Sequence, residues 1–194
     1  MDMKYDEILK QYPQIRTRRL LLRRFTLRDA ADVLEYGSDS KTLKYLVWQG
    51  VRNLEEAAQS ISGYYLAGQG IYAIELGENQ KCIGCIDLRI DPEHEKTGFG
   101  YVLNRRYWGK GYMTETLGAI LHLCFESLGL NRVESNHYRG NEASGAVMKK
   151  CGMKYEGTGI QEVKVKGVFR DVIHYGITRA DWAAGHPESR PEGT

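Results

Sequence analysis

The hydrophobic pattern changes character several times along the chain. Arg18 to Phe25 holds a continuous apolar run around Leu20, Leu21 and Leu22, the length of a buried strand. Thr26 followed by Asp29 reads as a capping box for a helix covering roughly Leu27 to Tyr36. Asn53 caps a second helix, in which Leu54, Ala57, Ala58, Ile61, Tyr64, Tyr65 and Ala67 make one broad apolar face before Gly68 ends it. The pattern then shortens. Strands are predicted over Ile71 to Leu76, Cys82 to Ile90 and about Thr97 to Asn104, broken by Gly77-Glu78-Asn79-Gln80 and Asp91-Pro92-Glu93. Links this short predict an antiparallel meander.

Helical spacing returns with Leu117, Ile120, Leu121, Cys124 and Leu128, and Gly129 sits just past its end as a C-cap. Arg132 to Tyr138 reads as a strand, Asn141 opens a helix that Gly152 closes, and two strands follow, about Met153 to Val165 and Val168 to Thr178, hinged at Lys166-Gly167. The first 17 residues give only a short helix. From Ala183 the apolar pattern stops, so 183–194 is expected to be a disordered tail after a single domain over 1–182.

Composition narrows the classes. A chain of 194 residues with 42% hydrophobic and 27% charged residues is one ordinary globular core. The net charge of +2 is far from that of a nucleic-acid binder, so no nucleic-acid partner is expected. The start Met-Asp-Met-Lys-Tyr-Asp-Glu lacks a signal-peptide core, and no apolar run approaches the ~20 residues that span a bilayer. A cytoplasmic protein with no membrane partner is the expectation.

Cys82 and Cys85 form a Cys-Ile-Gly-Cys run that suggests a redox pair or half a zinc site. Spacing of three on a strand sends the two side chains to opposite faces, and Cys124 and Cys151 fall on helical apolar faces. All four are read as reduced and structural. His94, His122, His137, His174 and His186 show no metal-ligand spacing, so no metal is expected.

The candidate chemistry begins where the strand ending near Asn104 runs into a glycine-punctuated basic loop and then a helix. Gly109 and Gly111 let the backbone turn tightly with N–H groups inward, and the following helix adds the positive end of its dipole. Arg105, Arg106 and Lys110 supply mobile cationic cover. The loop is built to hold phosphate. A P-loop is excluded because Gly111 follows Lys110 where Ser or Thr is required. A dinucleotide fold matches only in part. Glu134 stands where a ribose-binding acid would, but Thr114 replaces the third glycine, and a doubly wound fold repeats strand and helix from the outset.

The segment Arg106-Tyr107-Trp108-Gly109-Lys110-Gly111 has the form R-x-x-G-x-G and resembles the pyrophosphate-binding loop of the GCN5-related N-acetyltransferases. Arg18-Arg19-Leu20 with Leu22-Arg23, Gly100-Tyr101, Trp108 to Tyr112, Thr114-Glu115, Asn141 with Ser144, Gly152 and Asp171 are similar to the branch that acetylates ribosomal-protein N-termini. The resemblance runs from about Arg16 to Trp182. It implies an α/β fold whose mixed, mostly antiparallel sheet is flanked by helices and splayed between the strands ending near Asn104 and starting near Arg132. Acetyl-coenzyme A is the implied co-substrate. Tyr101, Val102 and Leu103 would pair with its pantetheine, as would Asn141. Arg106 and the N–H groups of Trp108, Gly109, Lys110, Gly111, Tyr112 and Met113 would hold its pyrophosphate. Lys149 or Lys150 would reach its 3′-phosphate.

The implied reaction is attack of a neutral amine on a thioester, which needs a proton acceptor for the amine and a donor for the departing thiolate. Many relatives place a Tyr donor where this chain has Met148, which cannot donate. In the ribosomal branch a Ser three residues after the Asn takes that part, and Ser144 stands there. Its alternative role is a first-turn serine bonded to the backbone, just as Asn141 is a good N-cap, worth about 1 kcal/mol. The base is less defined. One family position falls on Gly98, another on Val163 beside Glu162, which reaches the right face only if a bulge intervenes. Glu134, Asp87 and a water relay are the other readings. Tyr45 and Trp48 are candidate acceptor-site residues. The acceptor expected first is a protein N-terminal α-amine, then a small amine such as a polyamine, amino sugar or antibiotic, with a non-catalytic coenzyme-binding module as a third reading. Exposed strand edges suit a homodimer.

Overall fold

The structure is a computed structural model and describes residues 3–186. The strands β1 (Gln14–Arg16), β2 (Leu20–Arg23), β3 (Ile71–Leu76), β4 (Cys82–Asp91), β5 (Lys96–Leu103), β6 (Arg132–Tyr138), β7 (Lys154–Val165) and β8 (Val168–Thr178) form one sheet in the order β1-β2-β3-β4-β5-β6-β8-β7. The pairs β1/β2, β2/β3, β3/β4, β6/β8 and β7/β8 are antiparallel, and β5/β6 is parallel. The helices are α1 (Met3–Gln11), α2 (Ala30–Gly37), α3 (Ser40–Leu43), α4 (Leu54–Ser60), α5 (Tyr112–His122), α6 (Glu142–Lys150) and α7 (Arg179–Gly185). The chain sorts into two compact units: residues up to Leu88 with Gly100–Thr116, and Arg89–Phe99 with residues from Leu117 onward.

The first unit has its own apolar core, where Phe25, Val33, Tyr36, Ala57, Ile61, Tyr65 and Ala73 meet. The capping box forms: the Thr26 N–H donates to Asp29 Oδ2 at 2.8 Å. It opens a single 3-10 turn, Leu27–Asp29, before α2 begins. Asp29 also anchors Arg23, whose Nη1 and Nη2 donate to it at 2.9 and 2.7 Å while Nε donates to Glu75 at 2.5 Å. A charge on the inner half of β2 is thereby matched on both sides. The apolar face of α4 is narrower than its sequence predicts. Ala57, Ile61 and Tyr65 are buried, whereas Leu54 and Tyr64 are exposed, and the helix passes through a π-helical turn at Ile61–Tyr65. The π-turn adds a residue to the repeat and rotates the later side chains off the original stripe.

The expectation that Cys82 and Cys85 face opposite ways is corrected. Both join the same apolar cluster. Opposite Ile74 and Glu75 the register steps from Gly84 to Cys82, so Ile83 is an extra residue and the alternation reverses. Gly84 is required there, because a Cβ on it would lie 2.2 Å from the Val102 carbonyl oxygen. None of the four cysteines forms a disulfide. Burial pushes Cys85 up to about 12 and Cys151 to about 11, and Cys82 and Cys124 higher still.

The second unit is dominated by the β6/β8/β7 meander. Lys166 and Gly167, at φ of 49° and 82°, make the two-residue turn that the sequence predicts between β7 and β8. Helix α7 runs to Gly185, past the predicted start of the tail, because Trp182 stacks on Phe125 at 5.6 Å and its Nε1 donates to Glu126 at 2.9 Å. Residues 187–194, the remainder of that predicted tail, lie outside the described residues. Strand β1 and helix α3 are unpredicted elements, of three and four residues, too short to show a hydrophobic period. Among the described residues no helix is long and apolar enough to cross a membrane.

Candidate active site

In the first unit β5 ends at Asn104, whose Oδ1 accepts the Arg106 N–H at 3.0 Å and starts the short turn Arg105–Tyr107. Trp108 closes that turn by donating Nε1 to the Leu103 carbonyl at 2.7 Å. Gly109 and Gly111 then adopt φ of 73° and 79°, the left-handed conformation that favours glycine, and α5 starts at Tyr112. A Cβ on Gly109 would meet nothing within 4 Å, so this backbone faces open space. Together with the α5 N-terminus the loop fits a pyrophosphate. Arg105 and Arg106 are less mobile than the sequence suggests: Arg105 Nε donates to Asp39 at 2.9 Å and Arg106 Nη1 lies 3.2 Å from Glu35. Lys110 extends over the Tyr107 ring at 5.2 Å.

A brace not assigned from sequence holds the loop. Arg19 on the approach to β2 donates Nη1 to the Lys110 carbonyl at 2.9 Å and Nε to Glu115 Oε2 at 2.7 Å. Its own backbone N–H and the Thr17 hydroxyl both reach Glu115 Oε1 at 2.7 Å, and the guanidinium stacks 4.4 Å from the Tyr112 ring. Partial burial pushes the Glu115 carboxyl up, but the hydrogen bonds from Thr17 and Arg19 outweigh it and hold it below its ordinary value. Of the strand residues, Val102 and Leu103 are buried and Tyr101 is half-buried. Trp48 packs edge-on to Tyr36 at 6.2 Å against the core, and Tyr45 is half-buried under the Lys44 ammonium. Asp87 accepts the Tyr64 hydroxyl at 2.6 Å and the Gly100 N–H at 2.7 Å.

In the second unit Asn141 does not cap α6 with its side chain. Instead its Nδ2 donates to Ser144 Oγ at 3.0 Å, which ties the two predicted residues into one pair. Met148 is buried, and Lys150 is exposed at the end of the helix. The bulge that Glu162 needs is present. Between Gly159 and Val163 the β7/β8 register shifts, Gln161 takes φ of 48°, and its N–H is held by Asp171 Oδ1 at 2.9 Å. Glu162 Oε2 then lies 2.8 Å from His174 Nε2.

His174 also lines a cleft of about 390 Å³ whose wall includes Arg89, Gly98, Arg132, Glu134 and Glu156. Arg132 forks between two acids: Nη1 reaches Glu156 at 2.7 Å and Nε reaches Glu134 at 2.9 Å. Lys96 adds a third contact, to Glu134 at 3.0 Å. The Arg132 hydrogen bond holds Glu156 below its ordinary value. For Glu134, burial works the other way, and the bonds from Arg132 and Lys96 outweigh it.

A family model described as an acetyltransferase (GNAT) domain matches residues 19–154. An uncharacterized N-acetyltransferase p20 of Bacillus licheniformis is 31% identical over 172 residues, covering 86% of this chain and 97% of the relative. The ribosomal protein uS5 alanine N-acetyltransferase of Escherichia coli is 24% identical over 89% of this chain and 95% of its own length. Among solved structures, a GNAT-family acetyltransferase from Bacillus anthracis has a TM-score of 0.79 at 28% identity, with 86% of this chain and 99% of that one covered. The ribosomal-protein alpha-N-acetyltransferase RimL, solved with coenzyme A, has a TM-score of 0.75 at 23% identity over 85% and 97%, a likeness of fold. On the family model, these relatives and an open mostly antiparallel sheet, the chain belongs to the GNAT family and is an acetyl-coenzyme-A-dependent N-acetyltransferase.

Proposed function

We propose that the acceptor is the α-amine at the N-terminus of a protein or peptide, acetylated by one domain spanning residues 1–182. The observation that carries this reading is the state of the acids in the cleft. Glu134 and Glu156 are bonded to Arg132, and Glu162 to His174. A polyamine site would present several uncommitted carboxylates to several positive charges, and these are already matched. An α-amine brings a single charge and an ordinary pKa of about 7.7–8.0, so much of it is neutral at pH 7, unlike a lysine near 10.4. The full-length ribosomal relative supports the same choice.

In this reading Arg106 and the N–H groups from Trp108 to Met113 hold the pyrophosphate, and Tyr101, Val102 and Leu103 align the pantetheine. The coenzyme supplies the activated acetyl group. The amine nitrogen bonds to the acetyl carbon, the carbon–sulfur bond breaks, the nitrogen releases a proton to the Glu162–His174 pair, and Ser144 protonates the departing thiolate. Solvent then restores the Ser144 proton and takes up the one held by the Glu162–His174 pair, so amine and thioester become amide and thiol. Asn141 fixes the Ser144 rotamer through the 3.0 Å bond. Acetylation of a peptide carrying an internal lysine, with spermidine competing in the same reaction, tests the proposal by mass-spectrometric mapping. A product mainly on spermidine or the lysine side chain would overturn it.

A further inference from the structure

We infer that His174, oriented by Glu162, is the group that takes the proton from the attacking amine. The inference rests on the proposed N-acetyl transfer and sharpens it to one atom. His174 lies on β8 opposite Asn136 of β6 and Gly157 of β7, so its side chain shares the cleft face with Glu134 and Glu156. Its Nε2 is 2.8 Å from Glu162 Oε2. A carboxylate at that nitrogen fixes the tautomer in which Nε2 carries the hydrogen, which leaves the lone pair on Nδ1 free to accept a proton. Glu162 then stabilises the imidazolium that forms, without itself becoming protonated.

The surrounding charges agree with that division of labour. The groups facing His174 are Glu162 and Glu156 from β7, Arg132 and Glu134 from β6, and Arg89 from β4. Arg132 is engaged with Glu134 and Glu156, and Lys96 with Glu134. Glu162 is the acid that the structure commits to His174. A carboxylate acting alone as base would have to accept the proton at an ordinary pKa of about 4.3, poorly matched to an amine, whereas an imidazole near 6.5 is close to the working pH. The bulge supports this further. Three residues of β7, Ile160 to Glu162, stand against Asp171 alone; regular alternation from Gly157 would put Glu162 on the other face, and the strand gives up that pairing to place it beside His174.

In the step itself the nitrogen–carbon bond forms as the nitrogen–hydrogen bond breaks. The proton moves to His174 Nδ1, and the electron pair of the breaking carbon–sulfur bond leaves with the thiolate.

The experiment compares wild type, His174→Ala, His174→Gln and Glu162→Gln on whichever amine of a peptide and small-amine panel the wild type acetylates fastest. His174→Ala should lower kcat by about 10²-fold at pH 7. The kcat profile should lose its acid limb, and added imidazole should restore part of the rate. His174→Gln keeps a bond to Glu162 but takes no proton, so it should be equally slow. In a measurement independent of turnover, 15N NMR of the His174 ring should show the hydrogen on Nε2 in wild type and a loss of that tautomer preference in Glu162→Gln, because the accepting carboxylate is gone. Near-wild-type kcat in His174→Gln, or an unchanged acid limb in His174→Ala, would overturn the inference. A panel in which small amines outrun every peptide overturns the acceptor reading alone, since the His174 comparison is then made on the small amine.

Discussion

The glycine loop of the first unit and the acid-lined cleft of the second are built on opposite plans. The loop is nearly continuous in sequence, from Asn104 to Tyr112, and its working groups are backbone N–H donors set by two left-handed glycines. The cleft draws Arg89, Gly98, Arg132, Glu156 and His174 from five strands, and its groups are side chains set by register and by two irregularities of β7. A binding site for an invariant ligand tolerates local construction, because the phosphate asks only for donors and positive field. A site that must choose an amine and move a proton needs groups of opposite sign at fixed separations, which a short peptide cannot supply. The first plan should fail through backbone changes and the second through charge changes.

Damage to the proposed thiolate acid of the second unit is expected to give the largest effect. Ser144→Ala should reduce kcat by about 10²-fold, the low end for lost general acid catalysis, while acetyl-coenzyme A affinity stays within a factor of two or so. Turnover and calorimetric titration on one preparation check both halves. A kcat within a few-fold of wild type would reduce Ser144 to a helix-end residue that accepts from Asn141. Gly111→Val probes the other plan. At φ of 79° a β-branched residue is strained, and its Cβ would also lie 3.4 Å from Arg19 Nη2. Strain of about 1–3 kcal/mol corresponds to a loss of roughly 5- to 150-fold in coenzyme affinity if the loop must restore this conformation to bind. Circular dichroism should show the fold retained, and unchanged affinity in a folded variant would sink the phosphate-loop assignment.

Glu115→Gln tests whether the loop depends on its brace. The bonds to Arg19 and Thr17 are partly exposed, so their loss should weaken coenzyme binding by only about fivefold, near 1 kcal/mol. The carboxyl is held below its ordinary value, so its contribution is complete above the unfolded value of about 4.3 and is lost as the pH falls through the lower folded value. The wild-type advantage should therefore be flat from about pH 6 to 9. A difference that changes with pH in that range would mean that another group titrates at the loop.

The loop was legible because its signal is local. Gly109, Gly111 and the helix after them stand in one reading frame, and the β6 and β8 boundaries follow from uninterrupted strand patterns. The brace was not, because Arg19 and Glu115 are 96 residues apart and each alone reads as a surface charge. Two bulges set the other limits. Gly84 forces the extra Ile83 that puts Cys82 and Cys85 in one cluster, and nothing in Cys-Ile-Gly-Cys announces the Val102 carbonyl that leaves no room for a Cβ. At Glu162 the sequence reading could state the condition, a bulge, without deciding it. The deciding contact is Gln161 N–H to Asp171 across the hairpin. His174, read from sequence only as one of five histidines without metal spacing, acquires meaning once β8 places it opposite Asn136 and Gly157.

The smallest effect should come from the most heavily bonded side chain of the cleft. Arg132 reaches Glu134 and Glu156, yet its side chain and theirs are 26%, 35% and 37% exposed, so solvent screens much of the attraction. Arg132→Ala should cost less than about 1 kcal/mol of stability, read as a small shift in Tm. Its functional consequence is more telling. Removing the guanidinium leaves Glu134 with Lys96 and frees Glu156, which turns a matched cleft into an anionic one. If committed acids are what disfavour polyamines, spermidine should gain on the peptide α-amine by a few-fold in kcat/KM, an electrostatic change of about 1 kcal/mol at a partly exposed site, and the gain should fade with added salt. Equal losses for both acceptors would mean that Arg132 only holds the strands in place and that the choice of amine is made elsewhere.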